Sequence, residues 1–551
     1  MQNRFGGPLD KIPRFEERWL LMRKRVLSPA RLTGKIMKYR MIAIYILVGL
    51  LADVTNAADY YVSTSGKDSN PGTASSPWKY CPGMRAWSGN VSLNPGDTVY
   101  FDNSDTWEHN EGYLLYVEGG VTYDGETWGG GNNAILKSTG NMAVLVRMYE
   151  DDAIEPTVLK GFEIDGGNYG GVTHTGAGVG INWPNSYNNL TGAVKRIENC
   201  HVHHTGYDRE QGDGGYSYGI LVGAIGKKTK NVEVLNCLVH DTARTGITIY
   251  PETTPAGAIE SVVVRNCEVY NTGVNSESVG RSISVISDCK DILVEYNYIH
   301  TGAGELGVHA VQSHNRGPTN VTFRYNVVIG GDRKGFADES ARTQQRQYNV
   351  YGNLFNQCAD YGVHIFNPSP NCIAKFYNNT FFDNCQDSNA REVYFASASS
   401  TPDIEFINNI VWARSGSYAM YDSSGDTIMH SNNLYYRNGG GNVVYNGGST
   451  YTAATASNYE DTAQSADPLF IDTNSLPTSV NSTSGVNNDG LQPQSGSVAI
   501  DNGTSGFGSI DIDGTSIPVG DRDIGAYESS PDGGEIQIPE PPSRPRVVPD
   551  I

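Results

Sequence analysis

The chain has 551 residues, enough for a large core. Its 64 glycines, its 33 tyrosines against 15 phenylalanines, and the lack of long runs rich in Ala, Glu, Lys and Leu exclude a helical protein and describe a turn-rich β protein. A formal net charge of −20 excludes a general nucleic-acid-binding role.

The charge is unevenly placed. Residues 1–40 hold 11 Lys and Arg against 3 Asp and Glu, which leaves 29 against 57 for the rest of the chain. The basic start leads into the apolar run MIAIYILVGLLA, Met41 to Ala52, and then into the small residues Thr55-Asn56-Ala57-Ala58. Twelve apolar residues are short for a membrane span and suit the core of a signal peptide. The order predicts an exported chain, secreted or periplasmic, that meets the membrane only through this transient segment and matures near Ala58 or Asp59. An uncleaved anchor is the other reading, and Met37 would itself serve as a start.

From residue 59 the reading is of strands. Residues 59–155 carry an entry strand and irregular early coils. Residues 156–445 carry a repeat. The phrases IENCHVHHTG (from Ile197), VLNCLVHDT (Val234), VRNCEVYNTG (Val264), VEYNYIHTG (Val294) and FRYNVVIGG (Phe323) align on Cys200, Cys237, Cys267, Asn297 and Asn326. The same position continues through Asn353, Asn379, Asn409 and Asn433, and two residues later runs the apolar series from Val202 through Val239, Val269 and Ile299 to Tyr435. Period-2 alternation at repeat steps of 24 to 37 residues is the signature of a β-solenoid. Stacked coils bury one apolar face against the next, and an Asn amide on every coil can bond along the stack. Asn would also tolerate left-handed backbone at that turn. Residues 446–530, poor in periodicity, are expected to cap the open end, and the Pro-rich residues 531–551 form a tail.

Three features carry a resemblance. They are the Asn series, the opening YYVSTSGKDSNPGT from Tyr60 with Pro77-Trp78 following, and the closing Asp523-Ile524-Gly525-Ala526-Tyr527-Glu528 after Asp467-Pro468-Leu469-Phe470. Together they make the chain, over residues 59–530, resemble the right-handed parallel β-helix, or pectate-lyase-like, superfamily. The resemblance implies an all-β solenoid of about ten or more coils with caps at both ends. It also implies a carbohydrate-active role, since the fold hosts lyases, hydrolases, epimerases, adhesins and tailspikes. A second strand in each coil, such as Gly219–Val222, Gly246–Ile249, Ser282–Val285, Gly307–Gln312, Gly335–Glu339 and Gly362–Ile365, would line the sugar groove. The loops before it hold Asp208, Arg209, Glu210, Asp213, Arg244, Arg281, Glu305, Arg333 and Lys334.

β-Elimination on a uronic acid needs a base for the C5 proton and a cation for the carboxylate. Lys334, Arg333, His309, Arg316 and His364, with His314, suit it, and Lys334 or Arg333 is the expected base. Asp332, Asp338 and Glu339 suit Ca²⁺ binding or acid catalysis. Hydrolysis would need two spaced carboxylates instead. The expected function is therefore a polysaccharide lyase on a uronic-acid-containing glycan, acting as a monomer without organic cofactor. A glycoside hydrolase and a non-catalytic glycan binder or adhesin are the alternatives. The Gly-His-Gly and Arg-Ile-Lys of polygalacturonases, the Asp-Pro-His of alginate epimerases and the Trp-Ile-Asp-His type of phrase of pectate lyases are absent. A mature chain this acidic also repels a polyanion at long range.

Three smaller features complete the reading. His203, His240, Tyr270 and His300 each sit one residue beyond the apolar series, where a polar aromatic stack is favoured over a metal site. The eight cysteines are expected to be mostly free, buried fillers, although stacked neighbours could bridge. Asp511-Ile512-Asp513-Gly514 is expected to be a closing turn, not a Ca²⁺ loop.

Overall fold

A computed structural model describes residues 57–149, 154–167, 175–184, 189–206, 217–253, 258–273, 280–302, 305–309, 316–340, 344–368, 370–387, 391–396, 402–424, 428–487, 489–518 and 522–529. The expected signal segment, the Pro-rich tail, His314 and the loop residues Asp208, Arg209, Glu210 and Asp213 lie outside the described residues.

From Thr98–Asp102 onward, the coils contribute strands to three faces among the described residues. Thirteen parallel strands, from Asp59–Val62 to Met429–Ser431, stack in the first face. The second face runs from Phe162–Asp165 through His201–Thr205 and Leu238–Thr242 to Leu434–Arg437. The third runs from Thr175–Ile181 through Tyr218–Ile225 and Arg281–Ile286 to Asn442–Asn446. The long strand Ala134–Met148 joins the last two faces: its start pairs with the second and its end with the third.

The register is that of the repeat. Val202 pairs with Val239, Val239 with Val269, Val269 with Ile299, and so on to Val411 with Tyr435; all are buried. The Asn series forms a buried amide ladder. Asn297 Nδ2 donates to Asn326 Oδ1 at 2.9 Å, Asn326 to Asn353 at 2.9 Å, Asn353 to Asn379 at 2.9 Å, Asn379 to Asn409 at 3.0 Å and Asn409 to Asn433 at 3.0 Å. At its end Asn433 donates to Glu460 at 3.0 Å.

The left-handed residue is not the ladder Asn but its predecessor: Asn199, Asn236, Asn266, Tyr296, Tyr325, Asn378, Asn408 and Asn432 have φ from 52° to 58°. The preceding residue turns the corner, and the ladder residue is thereby free to point inward. A second left-handed series, His204, Asp241, Asn271 and Thr301, bends the chain out of the second face.

All eight cysteines are buried and unpaired, as expected of apolar fillers. Cys200, Cys237 and Cys267 continue the ladder position toward the N-terminus, their thiols directed at backbone carbonyls at 3.3–3.8 Å.

The segment expected to cap the open end does so only in its first part. Ser449–Thr452 pairs antiparallel with the last third-face strand, and the short helix Ala453–Asn458 follows. The rest folds back along the corner between the first and second faces. Thr504 and Asn408 exchange hydrogen bonds there, Ile510 accepts from Tyr325 Oη, and Ser482 N donates to Asn266. This segment buries the rings of Tyr296 and Tyr325, which are otherwise poor choices for a left-handed corner. Asp511 makes the closing turn, accepting from the amides of Asp513 and Thr515.

Candidate functional site

Three successive coils bring five charged side chains together where the chain enters and crosses the third face. Arg281 opens the strand Arg281–Ile286, Glu305 precedes Leu306–His309, and Arg333, Lys334 and Glu339 flank Phe336–Asp338. Between them Gly307 pairs with Ala337, so no bulk stands on the outward side there.

The contacts are dense. Arg281 Nε donates to Glu305 Oε1 at 3.0 Å, and Arg281 also bonds Glu339. Lys334 Nζ donates to Glu339 Oε1 at 2.7 Å and lies 3.9 Å from Glu305 Oε2. Arg333 is held more loosely, 3.8 Å from Glu305 and 3.6 Å from Glu339. Three cations face two carboxylates, so the cluster carries one excess positive charge on a strongly acidic chain.

The environment separates the two carboxyls. Burial pushes Glu305 up, against the pull of Arg281 and Lys334. Burial also opposes ionisation of Glu339, but Arg281, Lys334 and Arg333 outweigh it and hold that carboxyl at about 2. Two imidazoles stand beside the cluster. Burial, then Arg281, lowers His309 to about 4; burial, then Lys334, lowers His364 to about 4. Both are neutral bases at pH 7. Arg333 Nη1, Glu305 Oε2 and both ring nitrogens of His364 are buried without a hydrogen-bond partner.

His364 also begins a line of outward rings. It pairs with Tyr394, Tyr394 with Tyr421 and Tyr421 with Tyr445, one residue per coil. His364 stacks on Tyr394 with centroids 4.8 Å apart, and Tyr421 on Tyr445 at 4.1 Å. Arg391 lies over both Tyr394 and Tyr421, at 4.4 and 4.0 Å from their centroids. The three tyrosines are half-buried, each with part of its ring in solvent.

Lys334, Arg333, His309, His364 and Glu339, singled out from sequence, thus share one neighbourhood. Arg316 is exposed and makes no charged contact with the cluster among the described residues. Arg281 and Glu305, read from sequence only as loop residues, are its central members. The Ca²⁺ expectation does not fit. Asp338 points into the coil, where its carboxylate accepts from Arg346 Nε at 2.5 Å, Tyr348 Oη at 2.9 Å and Ser340 N at 3.0 Å. Glu339 points outward to Arg281 and Lys334, and Asp332 is exposed, so the three carboxylates form no shared donor set.

Residues 218–411 match the family described as right handed beta helix region. The three stacked parallel faces have the fold of a right-handed parallel β-helix, and the match covers its central coils. No curated protein matches the sequence. Among solved structures, the chain is similar to the pectate lyase Pel9A, with 14% identity, 87% of this chain and 98% of that chain covered, and a TM-score of 0.46. It is similar to the GH136 lacto-N-biosidase from Eubacterium ramulus at 16% identity, covering 69% of this chain and 66% of that one, with a TM-score of 0.44. A rhamnogalacturonan lyase is similar at 14% identity over 68% of this chain and 87% of that one, with a TM-score of 0.39.

Proposed function

We propose that the protein is an exported carbohydrate-active enzyme that cleaves a uronic-acid-containing polysaccharide by β-elimination at the charged cluster. The observation that supports this most is the join of two features: a cation-rich cluster at the head of a line of half-exposed rings. Ring faces suit the apolar faces of sugars, and an excess cation suits a carboxylate. Arg333 is the anchor for that carboxylate, because its guanidinium is loosely paired and has one nitrogen without a partner.

In this reading His309, rather than Lys334 or Arg333, is the base. Lys334 is occupied by Glu339 at 2.7 Å, whereas the His309 ring is neutral at pH 7. His309 takes the C5 proton, the electron pair forms the C4–C5 double bond, and the bond from C4 to the glycosidic oxygen breaks. Lys334 returns a proton to the leaving oxygen. No step requires a metal ion.

A panel of uronate and neutral polysaccharides tests the reading. The expected result is a new ultraviolet-absorbing unsaturated end on a uronate substrate, lost in the Arg333→Ala variant. New reducing ends without that absorbance would favour a hydrolase, for which the opposed carboxyls of Glu305 and Glu339 are the specific support. Binding without turnover would leave a glycan-binding protein.

A further inference from the structure

The second face carries an unrelated cluster near the N-terminal end of the regular coils. Glu163, His201, His203 and His240 come from three consecutive strands, with His201 paired to Glu163 and His203 to His240. Glu163, His201 and His203 each offer a ligand atom within 4.8 Å of the other two. His203 Nε2 lies 3.3 Å from Glu163 Oε1, and His201 Nε2 lies 2.6 Å from His240 Nε2.

The protons are constrained from behind. His240 Nδ1 lies 2.8 Å from Asp241 Oδ2. An ionised carboxylate only accepts, so Nδ1 donates to it, and Nε2 on the far side of the ring is turned toward His201. His203 Nδ1 lies 2.5 Å from His204 Nδ1, with Asp165 Oδ1 farther off at 3.9 Å and itself held by Lys137 at 2.8 Å. An imidazole oriented by a carboxylate, with the ring nitrogens of its neighbours gathered beside the Glu163 carboxylate, is an arrangement suited to a metal centre as well as to a stack. Farther along the same series Tyr270 and His300 stack with centroids 4.8 Å apart, and His300 Nε2 meets the single carboxylate of Glu268 at 3.1 Å with no second imidazole nitrogen beside it among the described residues.

We propose that Glu163, His201, His203 and His240 bind one divalent transition-metal ion of the Zn²⁺ class, with Asp241 as the orienting partner of His240. Three imidazoles and one carboxylate make a four-coordinate donor set of borderline softness. Ligand nitrogens around tetrahedral zinc stand about 3.3 Å apart, so the His201–His240 contact opens by under about 1 Å through side-chain rotation. The ion would tie three coils together across the face and stabilise that end of the solenoid.

The test is titration of the metal-free, untagged full chain with Co²⁺, followed by its tetrahedral visible absorption and by competition with Zn²⁺. One equivalent should bind, and Zn²⁺ should raise the thermal midpoint. His203→Phe and His240→Phe keep a ring in the stack and remove the nitrogens. Each should weaken binding more than the about 10–100-fold expected for the orienting variant Asp241→Asn. His300→Phe, two coils beyond His240, should bind as the parent does. No tetrahedral Co²⁺ spectrum in the parent would overturn the assignment. So would parent-like affinity in both His203→Phe and His240→Phe, or an equal loss in His300→Phe. Circular dichroism of each variant separates a lost ligand from a lost fold.

Discussion

The charged cluster of the third face and the imidazole cluster of the second are built in opposite ways. The imidazoles come from strands of one face, one above another in register, so that His203 lies over His240 with rings 5.3 Å apart and 7° from parallel. The charged cluster draws on a strand start, two approaches to strands and one strand exit: Arg281, then Glu305, then Arg333 and Lys334, then Glu339. One presents lone pairs to a cation, and the other presents cations to an anion. A solenoid repeats its strands faithfully and varies its corners, so like-on-like stacking makes a metal centre, whereas a mixed-charge site needs the irregular corners.

The contrast is broken most strongly by activity. His309→Ala and Lys334→Ala should each lower turnover by about 10²–10⁴-fold, the usual scale for a lost acid–base group, with the fold retained. His203→Phe should leave turnover on the same substrate unchanged. Parallel losses in all three variants, measured as initial rates, would mean that the two clusters are one system.

The ground beneath the clusters also differs. Val202 and Val239 lie under the imidazoles, while the charged cluster sits over the buried pair Asp338–Arg346, both fully enclosed. Arg346→Met leaves the Asp338 carboxylate buried without its cation. Denaturant unfolding should report a loss of about 3–5 kcal/mol, and the double variant Asp338→Leu/Arg346→Met should recover much of it. A small loss in the single variant would mean that Tyr348 Oη and the Ser340 amide suffice for Asp338.

The fold was legible because its determinant repeats. Alignment on Cys200, Cys237 and Asn297 gave the register that the strands adopt, and the amide ladder followed from Asn type alone. The left-handed corner one residue earlier was missed because Asn occupies it in some coils and Tyr in others, and Tyr296 and Tyr325 are tolerable only under a C-terminal segment that lies far away in sequence. The charged cluster was half legible. Arg333, Lys334 and Glu339 are neighbours in the chain, but their pairing with Arg281 and Glu305 depends on how coils of unequal length stack. Asp338 beside Glu339 looked like a cation site because sequence adjacency hides alternation: one side chain enters the core and the other leaves it.

The ladder itself separates the two ends of the rod. Near the imidazoles its positions are cysteines, which ask little of their neighbours, whereas beside the charged cluster they are asparagines. Asn353→Ala removes the acceptor of both Asn326 N and Asn326 Nδ2, at 2.9 Å each. Asn326 Nδ2 keeps the carbonyls of Val294 and Arg324, but the buried Asn326 N loses its partner, which should cost about 1–3 kcal/mol in denaturant unfolding. Cys237→Ala, with only weak thiol contacts to lose, should cost less; equal losses would show that the ladder amides are mere fillers.

The smallest effect tests whether the line of rings belongs to the charged cluster. Tyr421 lies two coils beyond His364, stacked on Tyr445 and covered in part by Arg391. A sugar chain anchored by its carboxylate at Arg333 reaches this ring only if it is several residues long, because each coil advances about 4.8 Å. An aromatic contact of this kind is worth about 0.5–1.5 kcal/mol beyond area burial. Tyr421→Ala should therefore raise the half-saturating concentration of long oligosaccharides by a few fold, leave the maximal rate unchanged and spare the shortest cleavable substrate. Tyr421→Phe, which keeps the ring face, should behave as the parent. Equal losses on short and long substrates would detach the rings from the substrate path and return them to the role that the second-face stack of Tyr270 and His300 already plays, that of packing between coils.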